Sequence, residues 1–409
     1  MKRLITLLLL SFIILTSFAQ TRDLVKELNQ RAIPLDSTFS FTQAANSTLL
    51  KNLTQYRALG LGEATHGTHE FFLAKANIIK KLIGFHQFDR IGLEAPYAEV
   101  EDLNQYLIDG KGDLNEILKS FRQYTYETRE FVDLIKHLKM HNATAKTKVL
   151  FYGYDFQSPY KAMSNLRSAL KDPPALSAAD SLIATFNSLS NELYGHQVAV
   201  DTYNRIIQDS KKMYQELDKI SNPALLKNLN NYRQFLRMND PQFSSDMGKA
   251  SELRDSLMAN NILEELNRGH RMIVWAHNGH VQKTKSKFSQ SMGQHLSRSL
   301  KTDYAAMGLA TYQGFYTGYN NNAQGVVRTN RLVVPKTSQI EYYLNQVKHK
   351  NFIISTDKLL VPAMIVEHRL LGYGVTDDQF QSGNMVDAFD YILFISNTSG
   401  SWNHYLKKQ

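Results

Sequence analysis

The chain has 409 residues, a formal net charge of +9, 43% apolar residues and 21% charged residues. That balance supports a sizeable folded core and argues against wholesale disorder. Cysteine is absent, which excludes a disulfide framework, a thiolate nucleophile and a cysteine-ligated metal.

Met1, Lys2 and Arg3 form a short basic start, Leu4 to Leu15 is almost unbroken apolar sequence, and Ser17 and Ala19 set a small-x-small pattern before Gln20. This predicts a signal peptide over residues 1–19. The mature domain then covers residues 20–409 and is exported, periplasmic or extracellular. The apolar run is short for a membrane span of ~20 residues, and no later segment is long enough for one, so no stable membrane insertion is expected. The remaining positive charge is dispersed, as at Lys80-Lys81 and Lys211-Lys212. No motif of nucleic-acid readout accompanies it, so no nucleic-acid partner is expected.

Residues 22 to 57 read as a mostly helical cap, broken near Pro34 and Ser37. Arg57 to Leu61 reads as a buried strand. The spacing of Phe71, Phe72, Ala76, Ile79 and Ile83 predicts a helix over Thr68 to Ile83, stopped at Gly84. Phe88 to Glu94 and Val149 to Asp155 read as strands that end on carboxylates, with helices over Ala98 to Leu107 and Thr128 to His141 between them. From about residue 160 to 268 long amphipathic helices dominate, including Ala179 to Leu193, Thr202 to Ile220 and Ala250 to Leu266. The strand pattern resumes at Arg271 to Ala276. It continues with a helix at Ser291 to Leu300, strand character over Tyr304 to Tyr316, a helix at Ser338 to Val347, and strands at Phe352 to Ser355 and Tyr391 to Ile395. Strands alternating with helices imply parallel pairing. The expected fold is therefore α/β, a mostly parallel central sheet flanked by helices, with an inserted all-helical subdomain.

Four strands are followed by an ionisable residue at or just past the end: Glu63, Glu94, Asp155 and His277. In a parallel sheet those ends point the same way and, if the strands are neighbours, share one cleft. The first of them opens the stretch GLGEATHGTHEFF, which holds Glu63, His66, His69 and Glu70. No Gly-x-Ser-x-Gly elbow occurs. Gly60-Leu61-Gly62 lacks the third glycine of a dinucleotide fingerprint, and no Gly-Lys-Ser/Thr loop appears, so no cofactor is expected. His and carboxylate remain, and they suit general-base activation of water. The pairs His66/His69 and His277/His280, with Glu63 and Glu94, also offer zinc ligands. Both pairs, however, sit in or beside glycine-bearing loops rather than at the i, i+4 spacing of a helical zinc motif.

GEATHG at Gly62 to Gly67 followed by Glu70 to Phe72, IGLEAP at Ile91 to Pro96, and WAHNGHV at Trp275 to Val281 with Met292-Gly293 together resemble the motifs of the erythromycin esterase family. The resemblance runs from about Leu53 to Ser396. It implies a metal-independent carboxylic ester hydrolase that opens the lactone ring of macrolides, with a small-molecule ester as its partner. It implies His66 as general base, Glu63 as its carboxylate, and Glu94, His277 and His280 as further catalytic residues. Lys75 falls where macrolide-inactivating members carry Arg and is expected to meet substrate, with His69 and Asp155 as additional substrate contacts. The alternatives are the same mechanism on a different ester or lactone, and a non-catalytic envelope binding protein that keeps the cleft.

Overall fold

In the computed structural model the described residues are 21–189, 198–286 and 289–403; the expected signal peptide over 1–19 and the end of the helix expected over Ala179 to Leu193 lie outside them. The core is a nine-stranded sheet in the order β1-β8-β11-β6-β2-β5-β3-β4, with β7 paired to β6. The strands are β1 (Ile33–Pro34), β2 (Ala58–Leu61), β3 (Arg90–Pro96), β4 (Leu150–Asp155), β5 (Met272–Trp275), β6 (Tyr304–Asn320), β7 (Gly325–Arg331), β8 (Asn351–Ser355) and β11 (Tyr391–Thr398). A separate two-stranded ribbon joins β9 (Glu367–Arg369) to β10 (Phe380–Ser382). The run β11-β6-β2-β5-β3-β4 is parallel throughout, whereas β8, β1 and β7 pair antiparallel.

Successive strand residues point to opposite faces, and both faces here are buried. Leu59, Leu61, Ile273, Trp275, Ile91 and Leu93 pack into one hydrophobic cluster with Phe71, Phe72, Ile78 and Ile79 of the His69–Ile83 helix and with Phe131 and Leu134 of the Arg129–Thr144 helix. Met272, Val274, Ala306 and Phe394 face the other cluster, with Met258, Ile262 and Leu266 of the Met247–Asn267 helix and Leu296 of the Met292–Leu300 helix. Burial on both sides explains why the central strands read as continuous apolar runs.

The helical insertion divides in two. The helices Tyr160–Ala169, Pro173–Ser188, Val200–Leu217 and Pro223–Met238 share a hydrophobic cluster of their own around Leu182, Phe186, Tyr232 and Phe235. The Met247–Asn267 helix, read from sequence as part of that unit, instead covers the sheet. The N-terminal cap also differs from the sequence reading, because Ile33–Pro34 pairs with β8 as an edge strand. Among the described residues no helix is long and apolar enough to cross a membrane.

The glycines of the opening motif are close-approach residues. The Gly67 carbonyl accepts from the amides of Thr317 and Ser401, each at 2.8 Å. A Cβ there would stand 1.8 Å from the Thr317 carbonyl oxygen. Gly60 and Gly62 abut Val281, Tyr304 and Asn278 in the same way. They join packed elements and do not lay an open cleft floor. Gly67→Ala is expected to cost about 1–3 kcal/mol through overpacking. Gly325→Ala, whose Cβ would approach nothing nearer than 3.8 Å, is expected to leave the thermal midpoint close to wild type. Thermal denaturation of the two variants checks this.

Candidate active site

The strands bearing the candidate groups, β2, β5, β3 and β4, lie side by side in the sheet. Their carboxyl ends open onto one cleft of about 260 Å³ lined by Glu63, His66, Glu94, His277 and His280. A bulge in β3 aims one of these. Between the pairs Leu93↔Gly153 and Pro96↔Asp155, β3 spends one residue more than β4, and Glu94 falls in that irregular step. Such a bulge re-aims a side chain beside a site.

Glu63 is 2% exposed and divides its two oxygens. Oε1 meets Nδ1 of His66 at 2.9 Å, and Oε2 accepts from Nζ of Lys75 at 2.6 Å. Lys75 is wholly buried, also donates to the Ala276 carbonyl at 3.3 Å, and stands 4.3 Å from the centroid of the Trp275 ring. Burial pushes its ammonium down to about 8, against the opposing pull of Glu63. Lys75 therefore does not meet substrate as expected, because it sits behind Glu63 and fixes it. The Glu63 backbone is held as well, its carbonyl accepting from Asn278 N at 2.8 Å. The Asn278 side chain clasps both backbone groups of Leu309 on β6.

The opposite wall is an alternation of charges. Arg254 donates from Nη2 to Glu94 Oε1 at 2.9 Å, to Asp155 Oδ2 at 2.6 Å and to Gln157 Oε1 at 3.2 Å, and from Nε to Asp155 Oδ1 at 3.2 Å. Asp155 is fully buried and does not line the cleft, so it is a partner of Arg254 and not the substrate contact expected. His280 lies between two carboxylates, Asp255 Oδ1 at 2.6 Å from Nδ1 and Glu94 Oε1 at 3.3 Å from Nε2. Burial alone would lower His280, but Asp255 and Glu94 outweigh it and raise the ring above its usual value. Burial likewise would raise Glu94, but the charges of His280 and Arg254 hold its carboxyl well below the usual range. Glu94 Oε2 also accepts from His277 N at 3.1 Å.

His277 differs from its neighbour. Burial, with His66 and His280 close by, holds it well below its ordinary value. Its Nδ1 accepts from the Gly279 amide at 3.3 Å, and its ring centroid is 4.7 Å from that of His66. His69, expected at the cleft, is elsewhere: it opens its helix and its Nδ1 pairs with the Glu130 carboxylate, which raises the ring. Glu70 reaches to the Ser399 amide at 2.7 Å and hydroxyl at 2.8 Å. Among the described residues no three His, Cys, Asp or Glu side chains are grouped to hold a metal ion.

Arg254 and Asp255 were not singled out in the sequence. The signal available was Asp255 itself, an acid on the apolar stripe of its helix with Met258, Ala259, Ile262 and Leu266. An acid in line with buried apolar residues needs a buried partner. Tyr126 and Thr125, which line the cleft from a short 3-10 turn, carried no such signal.

The family profile described as erythromycin esterase matches residues 83–398. That span holds Glu94, His277 and His280, while Glu63 and His66 precede it. Erythromycin esterase type II from Escherichia coli is 24% identical over 301 residues, covering 65% of this chain and 71% of that protein. A crystal structure of a protein from Bacillus cereus superposes with a TM-score of 0.79 at 24% identity, covering 94% of this chain and 99% of the other. A mutant of the erythromycin esterase EreC in its open conformation superposes with a TM-score of 0.70 at 20% identity over 92% of this chain and 99% of EreC. At these identities the two structures establish a shared fold.

Two outcomes follow from the buried charges. Lys75→Met leaves the Glu63 carboxylate buried without its ammonium and is expected to destabilise by about 3–5 kcal/mol, read by chemical denaturation. The folded Glu94 carboxyl lies below its unfolded value, near 4.3 for a model Glu. Its contribution to stability is thus complete above that unfolded value and is lost as pH falls through the folded one. The gap in thermal midpoint between wild type and Glu94→Gln is expected to be wide near neutrality and to narrow on acidification below that value.

Proposed function

The chain belongs to the erythromycin esterase family, and from that premise and the cleft we propose that it hydrolyses a cyclic carboxylic ester of the macrolide lactone type by general-base activation of water. One observation carries this reading. His66 is hydrogen-bonded through Nδ1 to a buried, lysine-paired carboxylate, which leaves Nε2 toward the cleft it lines. A base so oriented takes a proton from water, and the carboxylate behind it stabilises the imidazolium that forms. The hydroxide adds to the ester carbonyl carbon. The tetrahedral intermediate then breaks its bond to the alkoxy oxygen, which receives the proton from His66. Water and ester yield one acid and one alcohol, joined in one molecule when the ester was a ring. Positioned proton transfer of this kind contributes roughly 10²–10⁴ in rate.

Glu94, His277 and His280 add to the polar lining, with Arg254 and Lys75 as positioning residues that hold Glu94 and Glu63 in place. The chemistry needs no metal ion. The basic and apolar start of the sequence supports an enzyme that acts outside the cytoplasm. A second reading keeps this mechanism and changes the substrate. The cleft of about 260 Å³ lies below the ~300–1,000 Å³ typical of ligand pockets, which favours an ester that buries only a compact portion.

Purified protein incubated with erythromycin in the presence of EDTA is expected to convert it to a product heavier by one water, read by mass spectrometry. His66→Asn is expected to abolish that conversion and to keep the wild-type circular dichroism. Turnover that survives His66→Asn would rule out the general-base assignment. If erythromycin is untouched while p-nitrophenyl acetate or a small lactone is cleaved with the same dependence on His66, the second reading stands. If no ester is consumed, the cleft binds without catalysis.

A further inference from the structure

We propose that His277 is the oxyanion donor of this cleft, its Nε2–H hydrogen-bonding the ester carbonyl oxygen as that oxygen gains charge. The inference rests on the ester-hydrolase reading above. It starts from how the ring is held. Nδ1 accepts the Gly279 amide at 3.3 Å, so a neutral His277 carries its proton on Nε2. Gly279 keeps that contact close, since a Cβ at this position would stand 3.2 Å from Nδ1. The far nitrogen is different. His277 is 6% exposed, and its buried Nε2 makes no hydrogen bond. The Leu371 carbonyl stands near the ring without completing one. A buried donor left unpaired costs about 1–3 kcal/mol, and such a group in a cleft is open to a ligand acceptor.

The neighbours of this nitrogen match the task. The ring of His66, the base in the reading above, is 4.7 Å away between centroids. A carbonyl carbon approached from His66 can thus present its oxygen to His277. Arg254, the one arginine lining the cleft among the described residues, is already committed. Arg254 is spent on Asp155, Glu94 and Gln157, while His280 pairs through Nδ1 with Asp255 and sets Nε2 between Arg254 Nη1 at 3.2 Å and Glu94 Oε1 at 3.3 Å. Neutrality matters as well, because His66 becomes a cation when it takes the water proton. A second cation at His277 would oppose that step. The Nε2–H bond of His277 stays intact throughout. The proton travels from water to His66 and on to the leaving oxygen, while the negative charge rests on the carbonyl oxygen between addition and collapse.

The test compares wild type, His277→Asn and His277→Gln on erythromycin and on p-nitrophenyl acetate. The Gln amide nitrogen reaches about where Nε2 lies, and the Asn amide ends near the position of Nδ1. His277→Asn is expected to lower kcat by roughly 10²–10³ with little change in KM, as for loss of one oxyanion donor. His277→Gln is expected to recover about tenfold or more of that loss. In the ¹⁵N-histidine spectrum His277 is expected as the neutral Nε2–H tautomer, its Nε2 proton moving downfield when a phosphonate ester is bound. A His277→Asn variant with near-wild-type kcat overturns the assignment. So do Asn and Gln variants that are equally inactive with native circular dichroism, or a ring found cationic or protonated on Nδ1. If wild type cleaves neither ester, the hydrolase reading fails on that result. The phosphonate titration then decides His277 alone, and an unmoved Nε2 proton overturns its role as an oxyanion donor.

Discussion

The Glu63 carboxyl group lies where there is almost no water, and Nζ of Lys75 at 2.6 Å is its buried partner there. An unpaired carboxylate in such a place would take up a proton and could no longer stabilise an imidazolium. The cost is visible on the lysine, which burial pushes down to about 8. The His69–Ile83 helix sets this pair by packing Phe71, Phe72, Ile78 and Ile79 under the sheet, so the apolar face of one helix fixes where Lys75 meets Glu63. The lysine also suits the geometry. A guanidinium would span both carboxylate oxygens, whereas an ammonium is a point charge. Here Nζ takes Oε2 and leaves Oε1 for His66.

The second wall obeys the same constraint with a different cation. The tips of β3 and β4 place Glu94 and Asp155 next to each other, and two buried carboxylates in one place cannot both stay ionised unaided. Arg254 enters between them from a helix that belongs to neither strand. Breaking such a pair costs far more than the pair is worth to stability, because the survivor is left as an uncompensated buried charge. The consequence is structural: the helix that follows the insertion is tied to the strand tips by Arg254 and to the His280 turn by Asp255, which also accepts the Met292 amide at 3.0 Å.

What could be read from the sequence divides along physical lines. β2, β5, β3 and β4 announced themselves because burial on both faces makes them apolar throughout, and the residue that follows each run was then identifiable. Sequence could not order them. That β5 lies between β2 and β3 depends on a return of the chain across the whole helical insertion, and this order is what brings Glu63, His277 and Glu94 onto one cleft. Lys75 is expected at substrate because it stands where macrolide-inactivating members carry Arg, Asp155 because it ends a strand, and His69 because it lies in the opening stretch. Burial decides otherwise, since Lys75 and Asp155 face inward behind charged partners and His69 turns to Glu130. Arg254 was illegible for the converse reason. On a polar, long helix an arginine reads as solvated surface, and only the strand tips it meets give it a buried role.

His277 and His280 show how far environment separates identical side chains three residues apart. Both are buried, and burial drives both toward neutrality. For His280 the charges of Asp255 and Glu94 reverse that effect, against the opposing charge of Arg254. For His277 one nitrogen receives an amide and the other makes no hydrogen bond, and the opposing pull of Glu94 does not offset the burial. Pairs of titratable groups pushed apart in this way mark a division of labour between charged and neutral roles. The short turn at Asn278–Val281 produces the division. It aims the first histidine back over its own amides and swings the second across to Asp255. One four-residue turn thus sets two histidines of opposite tendency in one cleft, one beside Glu94 and one beside His66.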